Sequence, residues 1–387
     1  MGGPEPSPAR LAGWRHPFRI ERSGGGLTYV WYGMRFGSWV KLLARGRLDI
    51  TVNCLPRILS VSLMTPFVSA VALMSEAIYA RRVEATYIKP PVFILGHWRT
   101  GTTLVHELLA CDPTLAYPTT RQCFFPNTFL LAGRAFSRFY RPFLPEKRPF
   151  DDLPVGLERP QEEEFGLVNM GIPSPYRVFA FPRHGPPDGR YLDLVGLSQA
   201  ERQEWETAYV TLLKRIQLAA NEPLVLKSPP NTARLGTLLR LLPDARFIHI
   251  ARHPFDVYPS TLRMLKTLAA VQGLHNPPRL DGWASEYVLS TFERMFDAYE
   301  RDRQLIPSNR LVEIRYEDLV VDPKGVLGEV YQALDLGDFA AVAPHIDAYL
   351  AERADFRPNE HRLDADARRA IVKRWRRYFE RFNYTWA

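Results

Sequence analysis

The chain has 387 residues, of which 46% are hydrophobic, enough to fill one large α/β domain or two ordinary ones and to exclude a disordered chain. Its formal charge of +8 fits an anionic ligand, a nucleic acid or an anionic membrane surface, but no nucleic-acid-binding motif accompanies that charge. The three cysteines form no CxxC pair, so they indicate neither a disulfide framework nor a zinc site and favour a reducing, cytoplasmic compartment.

The N-terminal region, residues 1–90, is predicted to be a mostly helical lead-in that ends at the paired prolines Pro90 and Pro91. We expect no secretory signal peptide, because residues 1–26 contain no apolar run. Residues 58–75 carry no charge and are roughly as long as the shortest transmembrane spans. Pro66 and the flanking arginines leave two alternatives, a buried or membrane-surface helix and a true span, which makes the lead-in a candidate for membrane association.

The rest of the chain, residues 91–387, is predicted to form a domain of alternating strands and helices. Short apolar runs predict strands at residues 92–95, 224–226, 246–250 and 310–314. Helical patterns follow at residues 102–110, 235–242, 287–303, 323–334 and 365–386. This alternation predicts an α/β fold of three layers with a central parallel sheet.

A long stretch between the first two strands, residues 113–221, is interpreted as a substrate-side insertion. Clusters such as Pro173-Ser174-Pro175 and residues 185–189 (GPPDG) break regular structure. We therefore expect this insertion to be largely irregular.

The first strand is followed by a loop with the spacing of a phosphate-binding P-loop, from Gly96 to Gly101, that opens a helix. Backbone N–H groups and the positive helix end would converge there on an anion. The lysine that reaches the phosphates of a nucleotide triphosphate is replaced by Thr102, while a cation stands inside the loop at Arg99. The motif thus predicts a phosphate-binding strand, loop and helix but argues against ATP or GTP chemistry.

A later strand gives a second signal. A nucleotide triphosphatase needs an acidic residue near the end of such a strand to hold Mg²⁺, but this strand leads into Arg252. Arg252 and Ser260 could meet one phosphate at the carboxyl edge of the sheet, where open α/β sheets bind ligands. A surface arginine in a loop is the alternative interpretation.

Three segments together resemble the sulfotransferases that use 3′-phosphoadenosine 5′-phosphosulfate (PAPS). Residues 93–109 (FILGHWRTGTTLVHELL) are similar to the family's 5′-phosphosulfate loop, whose commoner form has Lys-Ser-Gly-Thr-Thr. Residues 248–260 (IHIARHPFDVYPS) resemble its 3′-phosphate segment, and residues 315–319 (RYEDL) resemble its Tyr-Glu-Asp-Leu block. The joint occurrence of these segments, in this order, is far more specific than any one of them.

The resemblance implies transfer of a sulfuryl group from PAPS to a hydroxyl or amine acceptor by in-line attack without a metal ion. The residues that it implies for nucleotide binding are Arg99, Thr100, Gly101, Thr102, Thr103, Arg252, Ser260 and Tyr316, with Tyr316 near the adenine. Arg99 would stabilise the leaving phosphate electrostatically, since a guanidinium does not donate its proton. Lys227 would lie beside the transferred group, although a solvated lysine at a strand end is the alternative.

The general base is ambiguous in the sequence. Cytosolic members of the family carry a histidine two positions after the lysine matched by Lys227, where this chain has a proline. Residues 159–167 (RPQEEEFGL) resemble an acidic block of related bacterial enzymes, so Glu162 and Glu164 are candidate catalytic carboxylates. A solvated helix start is the alternative for these acids. His97 and His106 are rival bases, His106 being better explained as a packed helix residue.

Two other functions stay open in the sequence. A P-loop kinase or nucleotide triphosphatase is favoured by the glycine spacing and disfavoured by Thr102. A non-catalytic, membrane-associated nucleotide-binding protein is favoured by residues 58–75 and by the basic C-terminal arm. The acceptor could be a small molecule, a glycan or a lipid, and the oligomeric state is not indicated.

Overall fold

The computed structural model describes residues 29–133, 156–276, 280, 282–352 and 363–386. Its centre is a sheet of four parallel strands in the order β2-β1-β3-β4. The strands are β1 (Val92–Leu95), β2 (Val225–Lys227), β3 (Arg246–Ala251) and β4 (Leu311–Arg315). All four predicted strands are present. The last three end one residue later than predicted, because ladder pairing continues one residue past each predicted run.

Helices surround this sheet. They are α1 (Phe36–Arg45), α2 (Leu55–Glu84), α3 (Thr102–Leu109), α4 (Thr120–Phe124), α5 (Glu163–Met170), α6 (Arg190–Asp193), α7 (Gln199–Ala219), α8 (Leu235–Leu241), α9 (Pro254–Gln272), α10 (Ala284–Asp302), α11 (Tyr316–Val321), α12 (Pro323–Leu334), α13 (Phe339–Ala351) and α14 (Ala365–Arg381). The predicted C-terminal helix therefore ends at Arg381 rather than at residue 386.

Alternate side chains of the strands face two different cores, as expected when both faces of a parallel sheet are covered. Phe93 and Leu95 of β1 belong to a core that includes residues of α7 and α8. Val92 and Ile94 belong to a core that includes residues of α3 and α12. The sheet is thus the middle of three layers, which confirms the predicted fold class.

The insertion, residues 113–221, is more regular than expected. Its described part contains α7, a helix of 21 residues. A capping box between Ser198 and Glu201 begins this helix, and Trp205, Tyr209 and Leu212 follow at helical spacing and are buried. The expectation of a largely irregular insertion was wrong here, because the structure-breaking Pro and Gly clusters all precede Ser198.

The lead-in is helical in its described part, as expected. Residues 58–75 lie inside α2, which is continuous through Pro66. In the described residues, the segment Val52–Glu84 is the one helical stretch that is long and apolar enough to cross a membrane, and 33% of its apolar window is buried. One side of α2 packs against α1 and α7.

Candidate functional site

The four parallel strands end at one edge of the sheet, and the first loop at this edge follows β1. Gly96 and Gly101 have φ angles of 148° and 105°, and Arg99 between them also has a positive φ, of 71°. A Cβ atom on Gly101 would lie 2.4 Å from the ring of Tyr316. Glycine is therefore required where the loop meets the residue that follows β4.

The loop ends at the N-terminus of α3. Gly101 is the N-cap residue and offers no side chain to the first turn. The N–H groups of Thr102 and Thr103 thus have no intrahelical partner, and the helix dipole adds positive potential there. The Thr100 hydroxyl donates to the His97 carbonyl over 2.8 Å and closes the loop from inside. This strand, loop and helix therefore have the backbone geometry of an anion-binding element.

The two predicted cationic residues meet at this loop. Arg99 Nε donates to Ser260 Oγ over 2.9 Å, and Arg252 Nη1 donates to the carbonyl oxygen of Arg99 over 3.2 Å. The Arg252 guanidinium also lies over the ring of Tyr316, 4.1 Å from its centroid. Arg99, Arg252, Ser260 and Tyr316 therefore form one cluster at this edge of the sheet, although they are separated by up to 217 positions in the sequence.

Arg252 fits an anionic ligand better than a structural ion pair. Its side chain is 12% exposed, so it is not a surface arginine. Its Nε is buried and has no hydrogen-bond partner among the described residues, and the nearest carboxylate oxygen, on Asp256, is 3.9 Å away. A buried guanidinium with donors to spare suits a phosphate oxygen.

A second group of side chains lies at the end of β2. Lys227 is 2% exposed, which excludes the solvated interpretation, and its Nζ donates to Glu162 Oε1 over 2.5 Å. The Tyr176 hydroxyl donates to the other Glu162 oxygen and accepts a hydrogen bond of 2.9 Å from Trp98 Nε1. Because Trp98 precedes Arg99, these contacts connect Glu162 and Lys227 directly to the loop.

Tyr176 acts only as a neutral hydroxyl in this network. Burial raises the pKa of Tyr176 well above its usual value, and the adjacent Glu162 carboxylate raises it further. The hydroxyl therefore keeps its proton and continues to donate to Glu162 at physiological pH.

The three consecutive acids point in three directions. Glu162 is the N-cap residue of α5 and faces Lys227. Glu163 accepts from Asn231 Nδ2 over 2.5 Å, and burial raises the pKa of its carboxyl group. Glu164 is fully buried against Arg234, with N–O distances of 2.5 and 3.1 Å. A helix does begin here, but its acids are not solvated, since Glu163 and Glu164 are 0% exposed.

Substitution of Glu164 should test whether it stabilises the fold. Glu164→Gln leaves the Arg234 guanidinium buried without its carboxylate, so we expect the free energy of unfolding to fall by about 3–5 kcal/mol. Urea denaturation measures this loss. Glu158→Gln is the matched control, because Glu158 pairs with Arg121 at the surface and should cost less than about 1 kcal/mol. Equal effects of the two substitutions would contradict the assignment.

The two histidines considered as bases are both buried. Burial lowers the pKa of His97 to about 3, so its ring is neutral at physiological pH. Its Nδ1 lies 2.9 Å from the Trp98 carbonyl oxygen, and its ring packs against Phe292. His106 lies in α3 with its ring edge-on to Tyr117, 6.2 Å away between centroids. These contacts are those of packed residues.

Comparison with known proteins agrees with this geometry. The profile of the Sulfotransferase family matches residues 90–340. The chain belongs to the sulfotransferase family. The omega-hydroxy-beta-dihydromenaquinone-9 sulfotransferases Stf3 of Mycobacterium bovis and Mycobacterium tuberculosis are each 34% identical to it over 379 residues, covering 98% of this chain and 95% of theirs. This sulfotransferase is therefore an enzyme, and its similarity to these relatives extends over nearly the whole chain.

Two crystal structures share the fold of this sulfotransferase. Sulfotransferase STF9 from Mycobacterium avium superposes with a TM-score of 0.63 at 19% identity, over 91% of this chain and 97% of that one. Sulfotransferase STF1 from Mycobacterium tuberculosis superposes with a TM-score of 0.58 at 18% identity, over 88% and 91%.

Sequence reasoning missed some residues of this site. Trp98 was visible inside the loop but was not assigned a contact. Tyr176 could not be recognised as a site residue, because it belongs to no motif: a Pro-rich turn precedes it and an apolar run follows soon after. Arg234, the partner of Glu164, was likewise indistinguishable from other arginines that open a helix.

Proposed function

We propose that this sulfotransferase transfers a sulfuryl group from PAPS to a hydroxyl acceptor by in-line, metal-independent attack. The observation that carries the proposal is the cluster of Arg99 and Arg252 at the N-terminus of α3, joined through Trp98 and Tyr176 to the Lys227–Glu162 pair. This arrangement offers cations for two separate phosphate groups and a carboxylate for a proton.

The nucleotide-binding residues would divide between the two ends of PAPS. Arg252 and Ser260 would bind the 3′-phosphate, and Tyr316 would lie near the adenine. The 5′-phosphosulfate would bind the loop from Arg99 to Thr103, where the helix dipole and the unpaired N–H groups favour an anion. The spare donor of Arg252 and the glycine forced by the Tyr316 ring support this division.

The chemical step needs one base and a stabiliser of the leaving group. As the acceptor oxygen forms its bond to sulfur, the bond between sulfur and the 5′-phosphate oxygen breaks. The hydroxyl proton would pass to the Glu162 carboxylate, and the charge on the released phosphate would be balanced by Arg99 and Lys227. The moving group carries less charge than a phosphoryl group, so these cations can serve in place of a metal ion.

Glu162 is a better candidate for the base than Glu164. Its side chain is 15% exposed and adjoins both Lys227 and the loop, whereas the Glu164 carboxylate is saturated by Arg234 and by the Ser174 hydroxyl at 2.5 Å. A base has to reach the acceptor, and a fully enclosed ion pair does not.

The acceptor that we propose is a hydroxylated isoprenoid lipid. The mycobacterial relatives are named for an omega-hydroxylated dihydromenaquinone, and the identity of 34% extends along 98% of this chain. We propose further that residues 91–387 form the catalytic domain and that residues 113–221 contribute its acceptor side, since Glu162 and Tyr176 lie in that insertion.

A transfer assay tests the donor and the acceptor separately. The purified protein is incubated with ³⁵S-labelled PAPS and a short hydroxylated prenyl alcohol, and label in the organic phase is counted. We expect ³⁵S to be transferred without added Mg²⁺, and we expect EDTA to leave the rate unchanged. With Mg²⁺ and γ-³²P-labelled ATP in place of PAPS, we expect no ³²P to be transferred. Label from ATP would favour a kinase. PAPS hydrolysis or transfer only to a water-soluble phenol would refute the lipid acceptor.

A further inference from the structure

We propose that α2 carries a docking surface for an anionic phospholipid bilayer. The surface, called the apolar face below, consists of Leu59, Leu63, Phe67, Leu73, Met74 and Ile78. Each of these side chains is more than half exposed, and Leu63 is 84% exposed. This inference does not depend on the sulfuryl-transfer reaction.

The exposed side of α2 is apolar, whereas a helix at a water-exposed surface is expected to present polar side chains there. The hydroxyl groups of α2 point into the protein: Ser60 Oγ lies 2.8 Å from Tyr32 Oη, and Ser62 Oγ accepts from Trp39 Nε1 over 2.8 Å. Thr65 is 0% exposed. Large apolar side chains occupy both sides of the helix, because Ile58, Val61 and Val68 are buried against the protein while the six residues of the apolar face are exposed. A contiguous exposed apolar surface of this kind marks an interaction site.

No charged side chain interrupts the apolar face. Between residues 55 and 80 the charged residues are Arg57 and Glu76, and both turn toward the protein. Arg57 donates to the Gly273 carbonyl, and Glu76 is paired with Arg35 and Arg215. The exposed side of α2 is therefore apolar from Leu59 to Ile78, about five turns of helix, a length that suits insertion among acyl chains.

Both ends of the apolar face are cationic. Arg45 and Arg47 are exposed just before α2, and Arg81 and Arg82 are exposed in its last turn. Exposed cations beside an apolar helix complement the phosphate groups of an anionic leaflet. They also disfavour a second copy of this chain as the occupant, since two copies of charge +8 repel one another.

The packing of α2 indicates a helix that lies in the membrane surface rather than one that spans the bilayer. Its other side contacts α1 and α7, where Glu76 pairs with Arg35 and Arg215. A full span would place these ion pairs in hydrocarbon, which is costly. Half-burial in the region between headgroups and acyl chains leaves them with the protein.

The basic C-terminal helix α14 does not offer an equivalent surface. Arg374 is paired with Glu286 and Glu293 of α10, and Arg377 is paired with Asp297 of the same helix. These cations are used in holding α14 to the domain. In the part of the chain that the structure describes, exposed arginines beside the apolar face are found in the last turn of α2 and shortly before its start.

Vesicle flotation with the full-length protein tests the proposal. The wild type and the variant Leu63→Gln/Phe67→Gln are each mixed with two kinds of vesicle, one of phosphatidylcholine alone and one that also contains anionic phosphatidylglycerol. We expect the wild type to float with the anionic vesicles and the double variant to partition about tenfold less or weaker still. The control is Leu305→Gln/Val321→Gln, because these side chains are 65% and 86% exposed outside the apolar face. It should float like the wild type.

Other results would overturn the proposal. Flotation that the double variant retains but that high salt abolishes would indicate charge attraction alone. Resistance to alkaline extraction would indicate a true span. Light scattering that shows a dimer in the wild type and a monomer in the variant, without flotation, would indicate a second copy as the occupant.

Two controls keep these outcomes interpretable. Circular dichroism and thermal melting establish that the double variant is folded, and Leu59→Gln/Ile78→Gln provides an independent pair should it not be. Binding of adenosine 3′,5′-bisphosphate by calorimetry should be equal in all variants. Flotation without nucleotide binding would refute the proposed nucleotide site but support the docking surface. Nucleotide binding without flotation would refute the docking surface but support the nucleotide site.

Discussion

Glu162→Gln is expected to lower kcat by about 10²–10⁴-fold, because an amide cannot accept the proton of the attacking hydroxyl. The substitution keeps the size of the side chain, and the amide oxygen can still accept from Lys227 Nζ, which lies 2.5 Å from Glu162 Oε1. The affinity for adenosine 3′,5′-bisphosphate should therefore be unchanged. Single-turnover measurement of sulfuryl transfer together with calorimetry separates the two effects.

The matched control for this experiment is Glu158→Gln, at an exposed acid four positions earlier that pairs with Arg121. It should have nearly wild-type kcat. A Glu162→Gln enzyme that turns over within about threefold of the wild type would exclude Glu162 as the base.

Arg252→Ala is expected to weaken the binding of adenosine 3′,5′-bisphosphate by about 10–100-fold, the value of a charge-assisted hydrogen bond to phosphate. The affinity for adenosine 5′-monophosphate, which lacks the 3′-phosphate, should change little. Calorimetry with the two nucleotides isolates the group that Arg252 contacts. At saturating PAPS the variant should retain most of its kcat, whereas Arg99→Ala should lose most of it because Arg99 is proposed to act on the leaving phosphate.

The control for the arginine series is Arg246→Ala. Arg246 begins the same strand, β3, at the edge of the sheet opposite to the site. It should bind both nucleotides as the wild type does. Equal losses for both nucleotides in Arg252→Ala would show that Arg252 does not select the 3′-phosphate, and would remove one half of the proposed nucleotide site.

The clustering of the cationic residues was predictable, because each of them follows the end of a strand. Buried parallel strands appear in the sequence as continuous apolar runs, and residues that follow such strands meet at one edge of a sheet. Arg99, Arg252 and Tyr316 each follow a run of this kind, so their proximity could be expected. That Arg99 Nε would contact Ser260 at 2.9 Å could not, because two residues 161 positions apart meet only through the packing of α9.

The identity of the acid at the site was not decided by the sequence. Consecutive residues at a helix start point about 100° apart, so one of three adjacent glutamates can face the site while the next is enclosed. Which one does so depends on where α5 lies relative to β2 and on the position of Arg234, which is paired with Glu164. The preference for Glu162 therefore comes from the tertiary structure.

The sequence by itself determined the four strands and several of the helices outside the insertion, the P-loop spacing after β1 and the uncharged character of residues 58–75. These properties follow from local periodicity and backbone preference, which act over a few residues. Only the tertiary structure decided which side chains of α2 face water, which carboxylate meets Lys227 and that Tyr176 joins it to the loop. Those contacts depend on the direction of side chains on elements far apart in the chain, and packing sets that direction only when all the elements are in place.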